Sequence, residues 1–216
     1  MLWFCSMART KDPAVRTQLL ERAAHLLRTR EPLTLRSLVA GTGVSTMAVY
    51  TYFGDMDGVW KALRQEGFTR LAARFAEVTP TGDAVEDLTT LITAYLGNAL
   101  DHTDLYRVMF DASFALEDLK AADATLEYLV QAAGRATADG RFRAGTDPLD
   151  LATQSWTIAH GLVSLVANGP LPRETLANGV PLLTGLFVHM GDNPRKCRHS
   201  VERGWKNLRH TRSPSA

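Results

Sequence analysis

The sequence predicts an all-α protein of about nine helices, with a small three-helix unit in front of a larger helical one. Three observations carry this expectation. Apolar residues recur at three- and four-residue spacing along nearly the whole chain; no segment sustains the period-two alternation of Val, Ile and Thr that marks strands; and the breaks fall at Gly, Pro, Asp and Asn. With 45% apolar and 22% charged residues in 216, the composition is that of a folded globular protein, which excludes wholesale disorder.

The first helix begins near Pro13, a favoured first-turn residue behind Asp12, and ends before Pro32. Val15, Leu19, Leu20, Ala23, Ala24, Leu26 and Leu27 form its buried face. Thr34 can cap a second helix from Leu35 to about Thr42, and Gly43 ends it. Ser45 can cap a third, from Thr46 to about Phe53, before a Gly54-Asp55 turn. A long fourth helix is expected from Met56 to Val78, stopping ahead of Pro80. Five more follow, near 83–101, 104–110, 116–139, 148–167 and 173–190, separated by turn-forming residues such as Asn168-Gly169-Pro170. The expected organisation is an arm over 1–12, a compact unit over 13–55, a connecting helix and larger domain over 56–193, and a basic tail over 194–216.

Charge is distributed unevenly. Residues 1–64 hold nine Lys and Arg against five Asp and Glu, residues 65–194 hold eight against seventeen, and residues 195–216 hold seven against one. A basic head on an acidic body suggests that the head meets a polyanion; uneven solvated faces would give the same tally. Cys5 and Cys197 lie at opposite ends with no ligand-like neighbours, which argues against a disulfide scaffold and a metal site and for a cytoplasmic protein. No apolar run reaches the roughly 20 residues of a membrane span. Met7, followed by Ala8-Arg9-Thr10-Lys11, reads as an alternative translation start.

The informative stretch is residues 33–59, LTLRSLVAGTGVSTMAVYTYFGDMDGV. Leu35, Leu38 and Val39 can face the first helix, Val44 plugs the corner, and Val49 and Phe53 anchor the inner face of the third helix. Gly43 sits where the chain reverses. The pattern is a helix-turn-helix, whose second helix enters the DNA major groove. Thr34, Ser45 and Thr46 are then candidates for phosphate contact as well as caps. Met47 and Thr51 are candidates for base readout, and Arg36 for the backbone. Tyr52 is favoured as a DNA contact, whereas Tyr50 suits either DNA or the core. Solvated disorder is the preferred reading of Arg9 and Lys11.

The run TLRSLVAGTGVSTMAVYTYFGDMDGVWKAL resembles the N-terminal domain of TetR-family transcriptional regulators, over roughly residues 13–64. The aromatic set Tyr50, Tyr52, Phe53 and the turn after it make the likeness more specific than a generic helix-turn-helix. Two positions depart from the family pattern. Met56 stands where a phosphate-contacting Lys is frequent, and Val39 replaces a small residue where the short helices cross. Further on, Trp156-Thr157-Ile158-Ala159-His160-Gly161, with Leu105-Tyr106-Arg107-Val108-Met109-Phe110, is similar to the C-terminal domain of a TetR subfamily with a Trp, His-Gly signature.

The resemblance implies a homodimer that pairs through two helices, around Leu149–Leu165 and Leu176–Phe187, where Gly161, Ala167 and Gly185 permit close approach. It also implies a ligand-responsive regulator, a repressor released from a near-palindromic operator by a small molecule. An activator, or a nonspecific nucleoid-type protein, is the alternative. Candidate residues for a mostly apolar effector pocket are Tyr95, Met109, Phe110, Phe114, Tyr128, Trp156 and His160; the plain alternative is that these are ordinary core. No nucleophile elbow, phosphate loop, dinucleotide fingerprint or metal triad is present, so neither catalytic residues nor a cofactor are expected.

Overall fold

The computed structural model describes residues 12–167 and 169–210. The expected arm, including Cys5, Met7, Arg9 and Lys11, therefore lies outside the described residues except for Asp12. Among the described residues ten α-helices follow one another: α1 (Pro13–Arg28), α2 (Leu35–Val39), α3 (Thr46–Phe53), α4 (Met56–Ala76), α5 (Ala84–Asp101), α6 (Thr103–Met109), α7 (Lys120–Ala138), α8 (Pro148–Ala167), α9 (Gly179–His189) and α10 (Pro194–Trp205). Short 3-10 turns cover Arg173–Asn178 and Lys206–His210, and no strand occurs among the described residues.

Local chemistry sets most boundaries. The Asp12 carboxylate accepts from the Ala14 amide at 2.9 Å, and Pro13 opens α1 where a missing N–H costs nothing. Asp83 accepts from the Val85 and Glu86 amides at the start of α5, and Asn193 from those of Arg195 and Lys196 at the start of α10. The helix expected near 173–190 is split. Pro181 can occupy only a first turn, so α9 starts at Gly179 and the preceding six residues wind as a 3-10 turn. The helix expected from Leu116 starts instead at Lys120, because the chain before it detours to the head.

The helices enclose two apolar cores. The head core gathers Leu19, Leu20, Ala23, Leu38, Val49, Val59, Ala62 and Leu63, and it also takes in Leu105 and Val108 of α6. The body core holds Tyr106 and Met109 of the same helix, with Phe75, Leu88, Ile92, Leu96, Leu151 and Phe187 among others. One seven-residue helix thus presents one face to each core, and α4 likewise passes from Val59 and Leu63 in the head to Leu71 and Phe75 in the body. At about 2 kcal/mol for each fully buried aliphatic side chain, Leu105 and Val108 tie the two parts together strongly.

The segment expected as a basic tail is for the most part a packed helix. Cys197, Ser200, Val201, Gly204 and Trp205 of α10 are buried against α5 and α9. A Cβ on Gly204 would lie 2.8 Å from the Glu86 carbonyl oxygen, so only glycine lets α10 approach α5 this closely. The contact is locked by Arg141, only 6% exposed. Its guanidinium donates to both carboxylate oxygens of Asp192 (2.8 and 2.7 Å), to Asp83 (2.6 Å) and to the Ser200 hydroxyl (3.1 Å). Ser200 in turn donates to Asp83 at 2.6 Å, and Arg203 bonds Asp83 and Glu86. Sequence reading missed this helix because its apolar residues are few and its charges many; what signals it is Asn193-Pro194, a cap followed by a first-turn proline.

Burial alone would raise the Asp83 pKa, but the Ser200 hydrogen bond, the Arg141 charge and the Glu86 amide outweigh it and hold it below the ordinary 3.8. A carboxylate depressed on folding stabilises the fold above its unfolded pKa, and that contribution disappears as pH falls below 3.8 through the folded value. Arg141→Met leaves Asp192, 4% exposed, without its counter-ion. We expect it to cost about 3–5 kcal/mol in denaturant unfolding at neutral pH, with the gap from wild type narrowing below pH 3.8.

Candidate nucleic-acid interface and effector cavity

The head is built on three tight connections. Thr34 and Ser37 cap α2 reciprocally, the Ser37 amide donating to Thr34 Oγ1 (3.2 Å) and the Thr34 amide to Ser37 Oγ (2.9 Å). Gly43 and Gly54 take φ of +71° and +83°, the left-handed region that favours glycine, at the two ends of the α3 unit. Gly58 was not singled out by the sequence, yet it sets the α3–α4 angle. A Cβ there would fall 1.8 Å from the carbonyl oxygen of Phe53, the last residue of α3.

The expected DNA contacts divide by exposure. Met47 (67% exposed) and Tyr50 (49%) project from α3, beside exposed Ser45, Thr46 and Thr51; Tyr52 is half-buried. Tyr50 is therefore the more available tyrosine, the reverse of the order favoured from sequence. Ser45 stands at the N-cap of α3 but makes no side-chain cap bond, which leaves its hydroxyl open to a ligand. Thr51 Oγ1 donates back to the Met47 carbonyl at 2.9 Å, so its methyl is the part free to read a base. Thr34 is exposed with its hydroxyl held in the cap, and Arg36 is exposed on α2. Met56 is half-buried against the head core, a packing role in place of a cation.

In the body a cavity of about 280 Å³ opens between α4, α5, α7 and the loop after α6. Its walls are Phe68, Leu71 and Phe75 from α4, Tyr95 from α5, Phe110 and Leu116 from the loop, Leu126 and Leu129 from α7, and Trp156 from α8; Arg64, Asp123 and Thr125 add polar groups. Of the seven residues expected here, Tyr95, Phe110 and Trp156 line it. Met109 fills the notch left by Gly67, where a Cβ would lie 2.2 Å from its Cγ. Phe114 leaves with the loop and stacks on Trp60, centroids 5.4 Å apart. Tyr128 packs edge-on against Phe75, one position off the lining face of α7. His160 is fenced off by Phe110 (4.6 Å) and Trp156 (5.8 Å). The α4 wall was legible as the stripe 64, 68, 71, 75, an i, i+4, i+7, i+11 face whose first member is an arginine.

Behind the cavity lies a polar cluster. The Tyr95 and Tyr106 hydroxyls each approach His160 Nδ1 to 2.8 Å and each other to 3.2 Å, and Ser164 Oγ is 3.1 Å from Tyr106. Nδ1 has one in-plane lone pair, so one tyrosine donates to it while the other bonds a neighbour. Burial lowers the His160 pKa and raises those of both tyrosines, so all three are neutral near pH 7.

The loop between α6 and α7 joins cavity and head. Arg64 Nε donates to the Met109 carbonyl at 2.9 Å and its Nη1 to that of Phe114, while Gln65 Oε1 accepts from the Asp118 amide at 3.0 Å. Glu117 pairs with Arg16 of α1 at 2.7 Å, and Arg16 also lies over the Phe53 ring of α3. A separate cleft of about 310 Å³ lies between head and body, lined by Glu21, His25, Arg28, Arg70, Asp101 and His102 among others. Within it Arg70 pairs with Glu66, Asp101 pairs with Arg74, and Arg28 lies 3.0 Å from His25 Nδ1.

The fold thus carries a helix-turn-helix head on a helical body with an apolar cavity. Residues 88–179 match the family described as tetracyclin repressor-like, C-terminal domain. Similar folds include a protein of unknown function from Rhodococcus sp. RHA1 (24% identity, 85% of this chain and 98% of that one, TM-score 0.65). The TetR family regulator PfmR from Thermus thermophilus is similar at 19% identity (76% and 96%, TM-score 0.60). The regulator FadR from Bacillus subtilis, solved with stearoyl-CoA, is similar at 14% identity (80% and 97%, TM-score 0.62). No curated protein matches the sequence. Among the described residues no helix is long and apolar enough to cross a membrane.

Two outcomes are expected. Gly58→Ala displaces α3 against α4 and lowers DNA affinity at least tenfold, while circular dichroism of the helical body is unchanged. His160 has a depressed pKa, so its neutral form favours folding and stability falls as pH drops through the unfolded value of 6.5. His102, lowered by burial and Arg70, adds a slope of the same sign. The pH 5–7 slope of the thermal midpoint should therefore be shallower in His160→Gln than in wild type, but not flat; an equal slope would show that His160 does not couple to folding.

Proposed function

We propose that this chain is a ligand-responsive repressor that binds a near-palindromic operator as a homodimer and is released by a mostly apolar small molecule in the α4–α8 cavity. One observation carries the reading. Phe110, which lines the cavity, directly follows α6, and α6 is part of the head core through Leu105 and Val108, so a molecule that moves Phe110 bears on the DNA-binding unit through α6. The ligand-bound state of FadR from Bacillus subtilis is consistent with a body of this fold acting as a receptor. Thr46, Met47, Tyr50 and Thr51 are assigned to the groove; Thr34, Arg36, Ser45 and Tyr52 to the phosphates and the groove edge.

The dimer is assigned to α8 and α9, which are followed by α10 and so are not the last helices. Leu149, Thr153, Thr157, Gly161 and Leu165 form an exposed stripe at four-residue intervals on α8, and Leu182 and Gly185 stand exposed on α9. Cβ atoms added at Gly161 or Gly185 would meet nothing within 4 Å in the monomer, so these surfaces can accept a close neighbour. Two copies related by a two-fold axis would then present two α3 helices to successive half-sites.

The purified protein should protect one short near-palindrome in the DNA upstream of its own gene, in the presence of excess competitor. Tyr50→Ala and Tyr52→Ala should each weaken that complex at least tenfold. Binding equally to any sequence would sink the operator reading and favour a nucleoid-type role, and a complex that raises transcription would make the protein an activator. Gly161→Arg should yield a folded monomer by light scattering and reduce operator affinity by more than about tenfold; a dimer that persists would place the interface elsewhere.

A further inference from the structure

We propose that the cavity ligand is an apolar, ring-sized molecule bearing one carboxylate, and that Arg64 is the group that receives it. The proposal rests on the effector reading of the cavity and gives it a charge. The wall is almost wholly apolar and rich in rings: Phe68, Phe75, Tyr95, Phe110 and Trp156. Two ionisable groups of fixed charge border it, Arg64 and Asp123, and their surroundings differ. Arg64 is half-buried, and its Nε and Nη1 are oriented by the carbonyl oxygens of Met109 and Phe114. Those carbonyls hold the guanidinium in place without cancelling its charge. Among the described residues no carboxylate lies within ion-pair distance of it, and Asp111, which feels its charge at longer range, is exposed to water. Asp123 is exposed to water in the first turn of α7, where its charge is favoured by the helix dipole.

The potential inside the chamber is accordingly set by the arginine, because a half-buried charge against apolar walls is screened far less than one at the rim. A carboxylate reaching the guanidinium gains a charge-assisted hydrogen bond in a place where an ammonium would be repelled. At roughly 30 Å³ for each water-sized group, 280 Å³ admits a molecule of about ten non-hydrogen atoms.

The position of Arg64 also says how such a ligand would be felt. The residue sits on α4 one step beyond Leu63 of the head core, and its carbonyl partners are Met109, the last residue of α6, and Phe114 of the loop that grips α1 through Glu117 and Arg16. A carboxylate that draws the guanidinium toward the cavity competes with the Met109 and Phe114 carbonyls and slackens the loop's hold on the head.

The test compares three matched probes, 4-ethylbenzoate, 4-ethylbenzamide and 4-ethylbenzylamine, by calorimetry on the full chain at pH 7. The benzoate should bind at least tenfold more tightly than the amide, with the amine weakest. Arg64→Gln should erase the benzoate's advantage while leaving amide affinity within about twofold, and Leu126→Trp, which fills the cavity, should abolish binding of both. An amide or amine that binds as well as the benzoate overturns the charge assignment and leaves the cavity reading standing. Benzoate binding that survives Leu126→Trp overturns it by placing the anion elsewhere, such as the Arg28 and Arg70 cleft. Failure of all three probes at 10 mM overturns it together with the cavity reading. If Arg64→Gln does not fold, the three wild-type affinities alone decide.

Discussion

The sharing of one short helix between two hydrophobic cores constrains everything else in this molecule. Seven residues of α6 send Leu105 and Val108 into the head and Tyr106 and Met109 into the body. Side chains on a helix advance by about 100° per residue, so a helix this short can satisfy two cores only if it lies in the seam between them. The head cannot then shift as a free module. Any movement that keeps both cores packed must carry α6 with it, and close-packed interiors answer such demands by switching between arrangements, not by deforming smoothly.

Polar interactions supply the second connection between the same two parts. Arg64, Gln65, Trp60 and Arg16 hold the loop after α6 from the head side, while Phe110 and Leu116 of that loop form cavity wall. A hydrophobic seam is nondirectional and tolerates small sliding. Hydrogen bonds to fixed carbonyls and a stacked ring pair do not, because they weaken steeply with angle and distance. The cavity therefore sits where a strong but slippery contact and a weaker but directional one converge. Its back wall, the Tyr95, Tyr106, His160 and Ser164 cluster, fixes the ring orientations that give the chamber its shape.

The far end of the body shows why charge counted along a chain is a poor guide to partners. The acidic body and the basic residues after 194 look like two surfaces with opposite tastes, yet a good part of those charges meet one another. Arg203 pairs with Asp83 and Glu86, and Arg141 binds Asp83 and Asp192 beneath α10. This buried network anchors the start of α5 and the whole of α10, and burial pushes the Cys197 thiol beneath it up to about 12, which keeps it inert near neutral pH. The end remote from the recognition helix is thus the stiff end.

Much was readable from the residues alone. The helix-turn-helix followed from Thr34, Gly43, Ser45 and the Val49/Phe53 pair, since caps, turns and i, i+4 anchors are local devices that act within a few residues of themselves. The apolar stripes of α1, α4, α5 and α8 were equally legible, because helical periodicity is written directly into the order of side chains. What tertiary structure decided was everything depending on which stripe meets which. Residues such as Met109, Phe114 and Tyr128 share the aromatic and apolar character of Tyr95, Phe110 and Trp156, and only packing separated wall from filler. Tyr50 emerged as the exposed tyrosine and Tyr52 as the half-buried one, although either order satisfies the pattern. Gly58 gained its role from a carbonyl five residues away, and α10 gained its helix from an arginine more than fifty residues before it. Sequence determined the elements because their causes are short-ranged; contact between distant segments determined the cavity, the seam and the lock, because burial and ion pairing depend on neighbours that the linear order does not reveal.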